Sequence, residues 1–158
     1  MCILGRTIRA FLLTATVSMA LASLAVAQAP VSVSASVSPT SIAPGGKGTA
    51  KLTANIAAPW YMYSISQGAG GPIPTKISFG EGVFAMNGVS GPKPKVKFDE
   101  NFKMNTESYS GSATFTIPFT VAADAPEGEQ TLTVNIRYQA CNDSVCLPPK
   151  TLNEPSLQ

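Results

Sequence analysis

Two of the three cysteines, Cys141 and Cys146, lie five positions apart near the end of the chain and carry the side chains best suited to chemistry. Two neighbouring thiols can exchange with other disulfides, because one thiolate attacks a disulfide sulfur and the second thiol resolves the mixed disulfide. The intervening residues Asn142, Asp143 and Ser144 are turn formers. We therefore expect the two cysteines to face each other across the base of a tight hairpin.

A disulfide between these cysteines has a purely structural interpretation as well as a catalytic one. An even pair of cysteines in an exported chain is first interpreted as a structural disulfide, because the compartments beyond the inner membrane are oxidising. In the chain-entropy model, closing a loop of about six residues stabilises the fold by about 2 kcal/mol. The stabilisation expected from a structural disulfide is therefore modest, and a redox role remains an alternative.

The chain contains no histidine, and this absence shortens the list of possible activities. It excludes Ser-His-Asp and Cys-His nucleophilic catalysis and every metal site built on imidazole. Copper handling by the reduced thiols is one remaining alternative, since thioether sulfur is a soft ligand and three methionines are available: Met62, Met86 and Met104. We expect neither a bound cofactor nor a metal ion, and no ordinary hydrolase or transferase activity.

The N-terminal segment has the composition of a secretory signal peptide. Its early charges are Arg6 and Arg9, an apolar stretch follows over residues 11–22, and small residues stand at Ala25 and Ala27. The apolar stretch is too short to span a bilayer comfortably, since a membrane helix needs roughly 20 apolar residues. We expect residues 1–27 to be removed by cleavage after Ala27.

Residues 28–158 then form one domain, because this length supports a single hydrophobic core and not two. Loss of Arg6 and Arg9 leaves as many basic as acidic residues, so the mature domain is close to neutral. Bulk charge therefore favours neither nucleic acid nor an anionic membrane as a partner. The expected product is periplasmic or otherwise exported, with no integral membrane span after cleavage.

Within positions 28–158, apolar residues alternate with polar ones at a period of two, which is typical of half-buried strands. Turn-forming residues separate these runs, and no amphipathic helical stretch appears. We therefore predict an all-β fold, an immunoglobulin-like antiparallel β-sandwich. Residues 28–30 and the tail after Glu154 are expected to be loosely held. The predicted strands cover 31–37, 50–56, 60–65, 75–79, 115–121 and 132–138.

Two stretches between the predicted strands look irregular. Residues 66–74 are rich in glycine and predict a mobile loop, whereas residues 93–108 are polar and charged, with Phe98 and Phe102 standing out among them. An aromatic side chain in a polar loop needs an explanation: it either anchors the long loop or belongs to a functional site. The start of this stretch also alternates lysines as a solvated edge strand does: Lys93, Lys95 and Lys97.

The residues around the cysteines resemble a known family. Tyr138-Gln139-Ala140-Cys141, with Cys146 and then Pro148-Pro149, is similar to the N-terminal periplasmic domain of the thiol:disulfide interchange protein DsbD. Tyr61-Met62-Tyr63 resembles the aromatic pair beside the redox site of that family, and Glu100-Asn101-Phe102 resembles its cap segment. The resemblance covers most of residues 28–158, with one residue fewer between the cysteines than in the enteric members.

The resemblance implies a domain that takes electrons from a thioredoxin-like domain or a membrane thiol reductase and passes them to oxidised exported proteins. Full family members add a membrane domain and a thioredoxin-like domain, so we expect another polypeptide to supply electrons to this chain. By analogy Cys146 forms the mixed disulfide and Cys141 resolves it. The implied cap and lining residues of the site are Phe102, Tyr61, Tyr63, Glu100 and Tyr138.

The leading interpretation is thus a thiol:disulfide oxidoreductase, with Phe102 shielding a pair of cysteines that reacts when a partner moves the cap. The alternative is an immunoglobulin-like binding module whose hairpin disulfide is purely structural. Reversible reduction separates the two, because a structural bridge resists the glutathione pool whereas a relay must exchange with thioredoxin-like partners.

Overall fold

A computed structural model describes residues 29–99 and 102–157. The predicted signal peptide, residues 1–27, lies outside the described residues. Within these two ranges no helix is long and apolar enough to cross a membrane. The described strands are β1 (Val31–Ser38), β2 (Lys47–Ile56), β3 (Tyr61–Tyr63), β4 (Lys76–Phe79), β5 (Phe84–Met86), β6 (Lys95–Asp99), β7 (Met104–Tyr109), β8 (Gly111–Val121), β9 (Thr131–Tyr138), β10 (Ala140–Cys141) and β11 (Lys150–Leu157).

The strands form three antiparallel sheets. The first has the order β1-β2-β8-β5, the second β10-β3-β7-β6 and the third β11-β9-β4. Only Gln139 separates β9 from β10, so the chain passes directly from the third sheet into the second. This order and the antiparallel pairing confirm the predicted all-β, immunoglobulin-like sandwich.

The core lies between the first sheet and the other two. Ring contacts link the layers, since Phe79 of β4 packs edge-on against Phe119 of β8, and Tyr109 of β7 packs in the same way against Phe115. Burial alternates along β8 and β9, as the period of two in their sequences predicts. The largest apolar residues with 0% exposure are Leu52, Met62, Phe115, Ile117, Phe119, Val134 and Ile136.

Two expectations about irregular segments are wrong. Residues 93–108 are not a loop but contain β6 and β7, which pair as a hairpin with Lys95 opposite Ser108 and Asp99 opposite Met104. The tail after Glu154 continues β11, whose Leu157 pairs with Thr131 of β9. Strand β6 is largely exposed, so backbone hydrogen bonds to β7 keep it in the sheet, whereas β7 itself buries Thr106 and Tyr109.

The alternating lysines do belong to an edge strand, as predicted. Strand β6 is the last strand of the second sheet, and β7 is its partner on one side. Residues 66–74 contain no strand, which agrees with the loop predicted there. The second sheet therefore has the cysteine-bearing β10 at one edge and the lysine-bearing β6 at the other.

Candidate functional site

The two cysteines form a disulfide across a tight hairpin, as the turn residues predict. Their Cα atoms are 4.0 Å apart. The backbone N–H of Asn142 donates to Val145 O on one side of the bridge, and Leu147 N–H donates to Ala140 O on the other. Cys141 and Cys146 therefore occupy a position between two backbone hydrogen bonds, where opposing side chains of antiparallel strands come closest.

The side chain of Asn142 shapes the turn between the cysteines. Its Oδ1 accepts hydrogen bonds from the backbone N–H of Ser144, at 2.9 Å, and from that of Val145, at 2.8 Å. This is the local bonding through which asparagine favours turns. The disulfide hairpin, residues 140–147, is consequently held both by the sulfur bridge and by its own polar turn.

The two sulfur-bearing residues differ in exposure. Cys141 is fully buried, with 0% of its surface exposed, because β10 pairs with β3 on one side and with the returning strand on the other. Cys146 follows the turn and is exposed. Attack on a disulfide requires access to the sulfur that is attacked. Of the two residues, Cys146 is therefore the one open to solvent.

Tyr61 lies beside the disulfide. It is the register partner of Cys141 in the pairing of β3 with β10, so the two side chains share one face of the second sheet. The Tyr61 hydroxyl group donates to the carbonyl oxygen of Asn142 at 3.5 Å. Tyr61 also packs edge-on against Tyr63, with ring centroids 5.8 Å apart. The two tyrosines predicted to share a face therefore do so, next to the cysteines.

Phe102 joins this aromatic group from the tip of the hairpin formed by β6 and β7. Its ring packs edge-on against Tyr63, with centroids 6.3 Å apart, and 38% of its surface is exposed. The residue is fixed through Asp99, whose carboxylate accepts hydrogen bonds from Phe102 N–H and from the Tyr63 hydroxyl group, both at 3.3 Å. We call residues 95–109 the cap hairpin. Glu100, the other predicted cap residue, lies outside the described residues.

Burial of the Tyr63 ring raises the pKa of its phenol above the ordinary value of 10.0, and the neighbouring Tyr61 and Asp99 add to this effect. The phenol therefore stays protonated at physiological pH and acts as a donor to Asp99. An aromatic side chain that is buried to 1% exposure and also bonded through its hydroxyl group is a rigid support for Phe102.

An ion pair connects the disulfide hairpin to the cap hairpin. Lys97 Nζ of β6 lies 3.6 Å from Asp143 Oδ1, at the turn between the cysteines. Together with Trp60, Tyr61 and Phe98 these residues line an open groove of about 490 Å³ on the second sheet. Sequence reasoning missed this contact, because it joins residues far apart in the chain and the sequence has no local signal for it.

The loop that follows β3 is bound to the cap hairpin through Glu107. The Glu107 carboxylate accepts hydrogen bonds from the hydroxyl groups of Ser66, at 2.5 Å, and Ser64, at 2.9 Å. These bonds, Ser66 first, lower the pKa of Glu107 below its ordinary value of 4.5. The backbone N–H of Glu107 also donates to Gln67 Oε1 at 2.7 Å. The predicted glycine-rich loop is therefore tied to β7 at its start.

Tyr138, which the resemblance places near the site, is buried in the core at 2% exposure. Its hydroxyl group is buried and has no hydrogen-bond partner among the residues that the structure describes, and burial raises the pKa of the phenol. Strand β9 ends at Tyr138, two residues before β10 begins. Its place is thus behind the disulfide hairpin, as part of the packing from which that hairpin extends.

The copper alternative has little geometric support in the part of the chain that the structure describes. No group of three or more histidine, cysteine, aspartate or glutamate residues there could hold a metal ion. The three methionines also lie apart: Met62 is buried in β3, Met86 is exposed on β5 of the first sheet, and Met104 begins β7.

The fold has relatives among solved structures. The N-terminal periplasmic domain of ScsB from Proteus mirabilis is 20% identical with a TM-score of 0.50, over 78% of this chain and 44% of that chain. The N-terminal domain of Neisseria meningitidis DsbD, crystallised in the reduced form, is 22% identical with a TM-score of 0.46, over 67% of this chain and 74% of that one. No curated protein matches the chain.

A family model carries the assignment, since similarity at these identities concerns the fold alone. The model described as "Thiol:disulfide interchange protein DsbD, N-terminal" matches residues 27–157, which is most of the chain. The match includes both cysteines, the tyrosine pair of β3 and the cap hairpin. The chain therefore belongs to the family of N-terminal domains of the thiol:disulfide interchange protein DsbD.

Proposed function

We propose that this protein is a periplasmic thiol:disulfide oxidoreductase, an electron relay whose redox centre is the Cys141–Cys146 pair. One observation carries the proposal: the disulfide has one buried sulfur-bearing residue, Cys141, and one exposed residue, Cys146. A purely structural bridge has no need of this asymmetry. An exchanging bridge uses it, because one sulfur must accept attack while the other remains nearby to resolve the intermediate.

The proposed reductive step begins with a donor thiolate that attacks the sulfur of Cys146. A mixed disulfide forms, the Cys141–Cys146 bond breaks, and Cys141 leaves as the thiolate and takes up a proton. The second thiol of the donor then attacks the donor sulfur of the mixed disulfide, which forms the donor's own disulfide and releases Cys146 as a thiolate that takes up a proton. The donor loses two electrons and two protons, and this protein gains them as two thiols.

The oxidative step repeats this chemistry in the other direction. Cys146 as the thiolate attacks the disulfide of an oxidised exported protein, and Cys141 resolves the mixed disulfide. The acceptor leaves with two thiols, and the Cys141–Cys146 bond is restored. The proposed donor is a thioredoxin-like domain or a membrane thiol reductase, and neither half-reaction requires a cofactor.

In this proposal the aromatic residues shield the pair between encounters. Phe102 covers the site from the cap hairpin, supported by Tyr63 and Tyr61, while Tyr138 supports the hairpin from the core and Glu100 belongs to the cap segment. The ring contacts of Phe102 with Tyr63 and of Tyr63 with Tyr61 support this arrangement. Shielding limits wasteful reoxidation in an oxidising compartment.

The proposal includes removal of residues 1–27 as a signal peptide and export of residues 28–158 as one domain. Sequencing the N-terminus of protein purified from the periplasm tests the processing. The redox function is tested by incubating residues 28–158 with thioredoxin, kept reduced by NADPH and thioredoxin reductase, and counting alkylated thiols by mass spectrometry. Two alkylated cysteines per molecule are expected, and a disulfide that survives intact identifies a structural bridge in a binding module.

A further inference from the structure

Strand β4 is the last strand of the third sheet, so among the described residues one side of its backbone has no neighbouring strand. Gly80, which follows β4, donates its N–H to Thr133 O of β9 at 2.8 Å. Hydrogen-bonding directions alternate from residue to residue along an antiparallel strand. Because Gly80 faces β9, the N–H and C=O groups of Phe79 and Ile77, one and three positions earlier, point away from β9 toward the open edge.

The chain covers this edge at one end only. Thr75 points to the same side as Ile77, and its N–H donates to Ser64 O at 3.2 Å. In the part of the chain that the structure describes, no backbone hydrogen bond reaches the outward groups of Ile77 and Phe79. The N–H and C=O groups of these two residues are therefore available to a further strand that pairs with β4.

A groove of about 620 Å³ borders β4. Its apolar lining includes Ile65 and Val89, which are partly buried against the core, and Ile77 of β4. Grooves of this size hold ligands as large as a short peptide. We call the groove and the open edge together the β4 groove. Its polar lining lies mainly on the outward face of the third sheet: Lys76, Ser78, Asn135, Arg137, Thr151 and Asn153.

The charged side chains known to line the β4 groove are two cations, with no carboxylate among the described lining residues. Lys76 of β4 is directly opposite Arg137 of β9, so the two like charges share one face of the sheet. Like charges in this position destabilise a strand pair. The one ion pair among the described residues joins Lys97 to Asp143, so neither Lys76 nor Arg137 has a carboxylate partner there. A carboxylate bound beside them turns the repulsion into attraction.

We propose that the β4 groove is a docking surface for an extended peptide segment of another protein, in which acidic and apolar residues alternate. The segment joins the third sheet as an antiparallel strand bonded to the outward groups of Ile77 and Phe79. Its acidic side chains lie on the outward face with Lys76 and Arg137, and its apolar side chains contact the apolar lining. The cysteines belong to the second sheet, so this inference goes beyond the proposed function and does not depend on it.

Charge and backbone together favour this occupant over the alternatives. A second copy of the chain that pairs through β4 brings Lys76 and Arg137 of both copies onto one sheet face, which opposes self-pairing. A phospholipid headgroup supplies anionic groups but no row of N–H and C=O groups, so it leaves the edge of β4 unbonded. An extended acidic peptide satisfies the cations and the open backbone at once.

The probe is a fluorescein-labelled peptide of about seven residues in which valine and glutamate alternate. Its binding to oxidised residues 28–158 is followed by fluorescence anisotropy. We expect saturable binding that weakens as the salt concentration is raised, and none by a peptide with lysine in place of glutamate. Absence of saturable binding by the glutamate peptide would overturn the proposal.

Two methylated peptides separate strand pairing from simple charge attraction. In an antiparallel strand the residues opposite Ile77 and Phe79 turn their N–H groups toward β4, and these are the valines of the probe. N-methylation of the valines should lower the affinity by about tenfold or more, since at least two hydrogen bonds are lost. N-methylation of the glutamates should leave the affinity unchanged, because their N–H groups face solvent. Equal affinities of the two methylated peptides would contradict strand pairing.

The contribution of charge is tested by combining Lys76→Gln with Arg137→Gln. Both side chains are exposed, so the fold should be retained. We expect the affinity for the glutamate peptide to fall by about tenfold and to lose most of its salt dependence. Lys51→Gln is the matched control, since Lys51 is an exposed strand lysine of the first sheet, and its affinity should equal that of the wild type. Equal affinities of the combined variant and the wild type would overturn the choice of an acidic partner.

Two competition measurements decide between this occupant and the others. The protein alone should sediment as a monomer, and a dimer that the glutamate peptide dissociates would assign the β4 groove to a second copy of the chain. The protein should also stay in the supernatant when vesicles of phosphatidylglycerol are pelleted. Pelleting that the glutamate peptide reverses would assign the groove to an anionic headgroup, and either result would overturn the proposal of a peptide partner.

Discussion

Phe102, at the tip of the cap hairpin, packs edge-on against Tyr63. Tyr63 in turn packs against Tyr61, and Tyr61 is the register partner of Cys141. Tyr63 is buried and bonded to Asp99, and this makes it the fixed part of the contact. Phe102, at 38% exposure, lies on the solvent side of the contact, so its removal should expose the thiols without disturbing the core.

Phe102→Ala should speed alkylation of the reduced cysteines. An aromatic pair contributes about 1 kcal/mol, which corresponds to about fivefold in an opening equilibrium, so we expect about fivefold faster modification by iodoacetamide. Phe98→Ala is the control, because Phe98 is a phenylalanine of the same hairpin on the other face of the sheet. Equal rates for the wild type and Phe102→Ala would contradict the shielding role.

The two cysteines should differ in reactivity when each is left alone. In Cys141→Ser the exposed Cys146 remains, and in Cys146→Ser the buried Cys141 remains. Exchange requires access to the attacking thiol. Cys141→Ser should therefore form a mixed disulfide with an aromatic disulfide reagent about tenfold faster than Cys146→Ser. Absorbance of the released thiol measures both rates. The reverse order would show that the turn opens and exposes Cys141 before any exchange.

Tyr138→Phe should leave stability unchanged or raise it. The buried hydroxyl group of Tyr138 has no hydrogen-bond partner within residues 29–99 and 102–157, and leaving a buried polar group without its hydrogen bond costs about 1–3 kcal/mol. Removing the group abolishes that cost and keeps the ring. Tyr63→Phe is the comparison, since it deletes a bond to Asp99 and should destabilise the fold by about 1 kcal/mol.

Both free energies of unfolding are measured in urea with the disulfide intact. A loss of more than about 1 kcal/mol in Tyr138→Phe would mean that its hydroxyl group is bonded in solution, and therefore that the packing behind the disulfide hairpin differs from that in the structure.

Acid should loosen the loop that follows β3. Bonds from Ser66 and Ser64 lower the pKa of Glu107 in the folded state, so its contribution to stability is present above the ordinary value of 4.5 and is lost as pH falls through the lowered folded pKa. Glu107→Gln should therefore lose less stability than the wild type when pH is lowered from 7 into that range. Thermal unfolding at both pH values measures this, and parallel losses would contradict the assignment.

The sequence predicts the layers of the sandwich well and the cap hairpin poorly, for one physical reason. Residues such as Leu52 and Phe115 alternate with polar ones because one face of each strand is buried, and this burial is visible as a period of two. In β6 both faces are exposed, as Val96 shows, so a polar stretch that is a strand resembles a loop. The alternating lysines of β6 are the one feature of its sequence that indicates a strand, because they are typical of the edge of a sheet.

The candidate site likewise has features that the sequence predicts and features that it does not. The disulfide, the turn at Asn142 and the shared face of Tyr61 and Tyr63 follow from local sequence, because each depends on neighbours a few positions apart. The Lys97–Asp143 contact depends on how two distant hairpins meet, and the burial of Cys141 depends on the pairing of β10 with the distant strand β3. Such contacts are set by the tertiary fold, so no pattern within a single segment predicts them.

The reduction potential of the Cys141–Cys146 disulfide tests the central claim most directly. Residues 28–158 are equilibrated in graded thiol buffers, and free thiols are trapped and counted. A relay requires a value between about −180 and −270 mV, the range from protein disulfide isomerase to thioredoxin, and this is the result we expect. A value well below about −300 mV would contradict the account, because such a disulfide resists reduction and only holds the hairpin together.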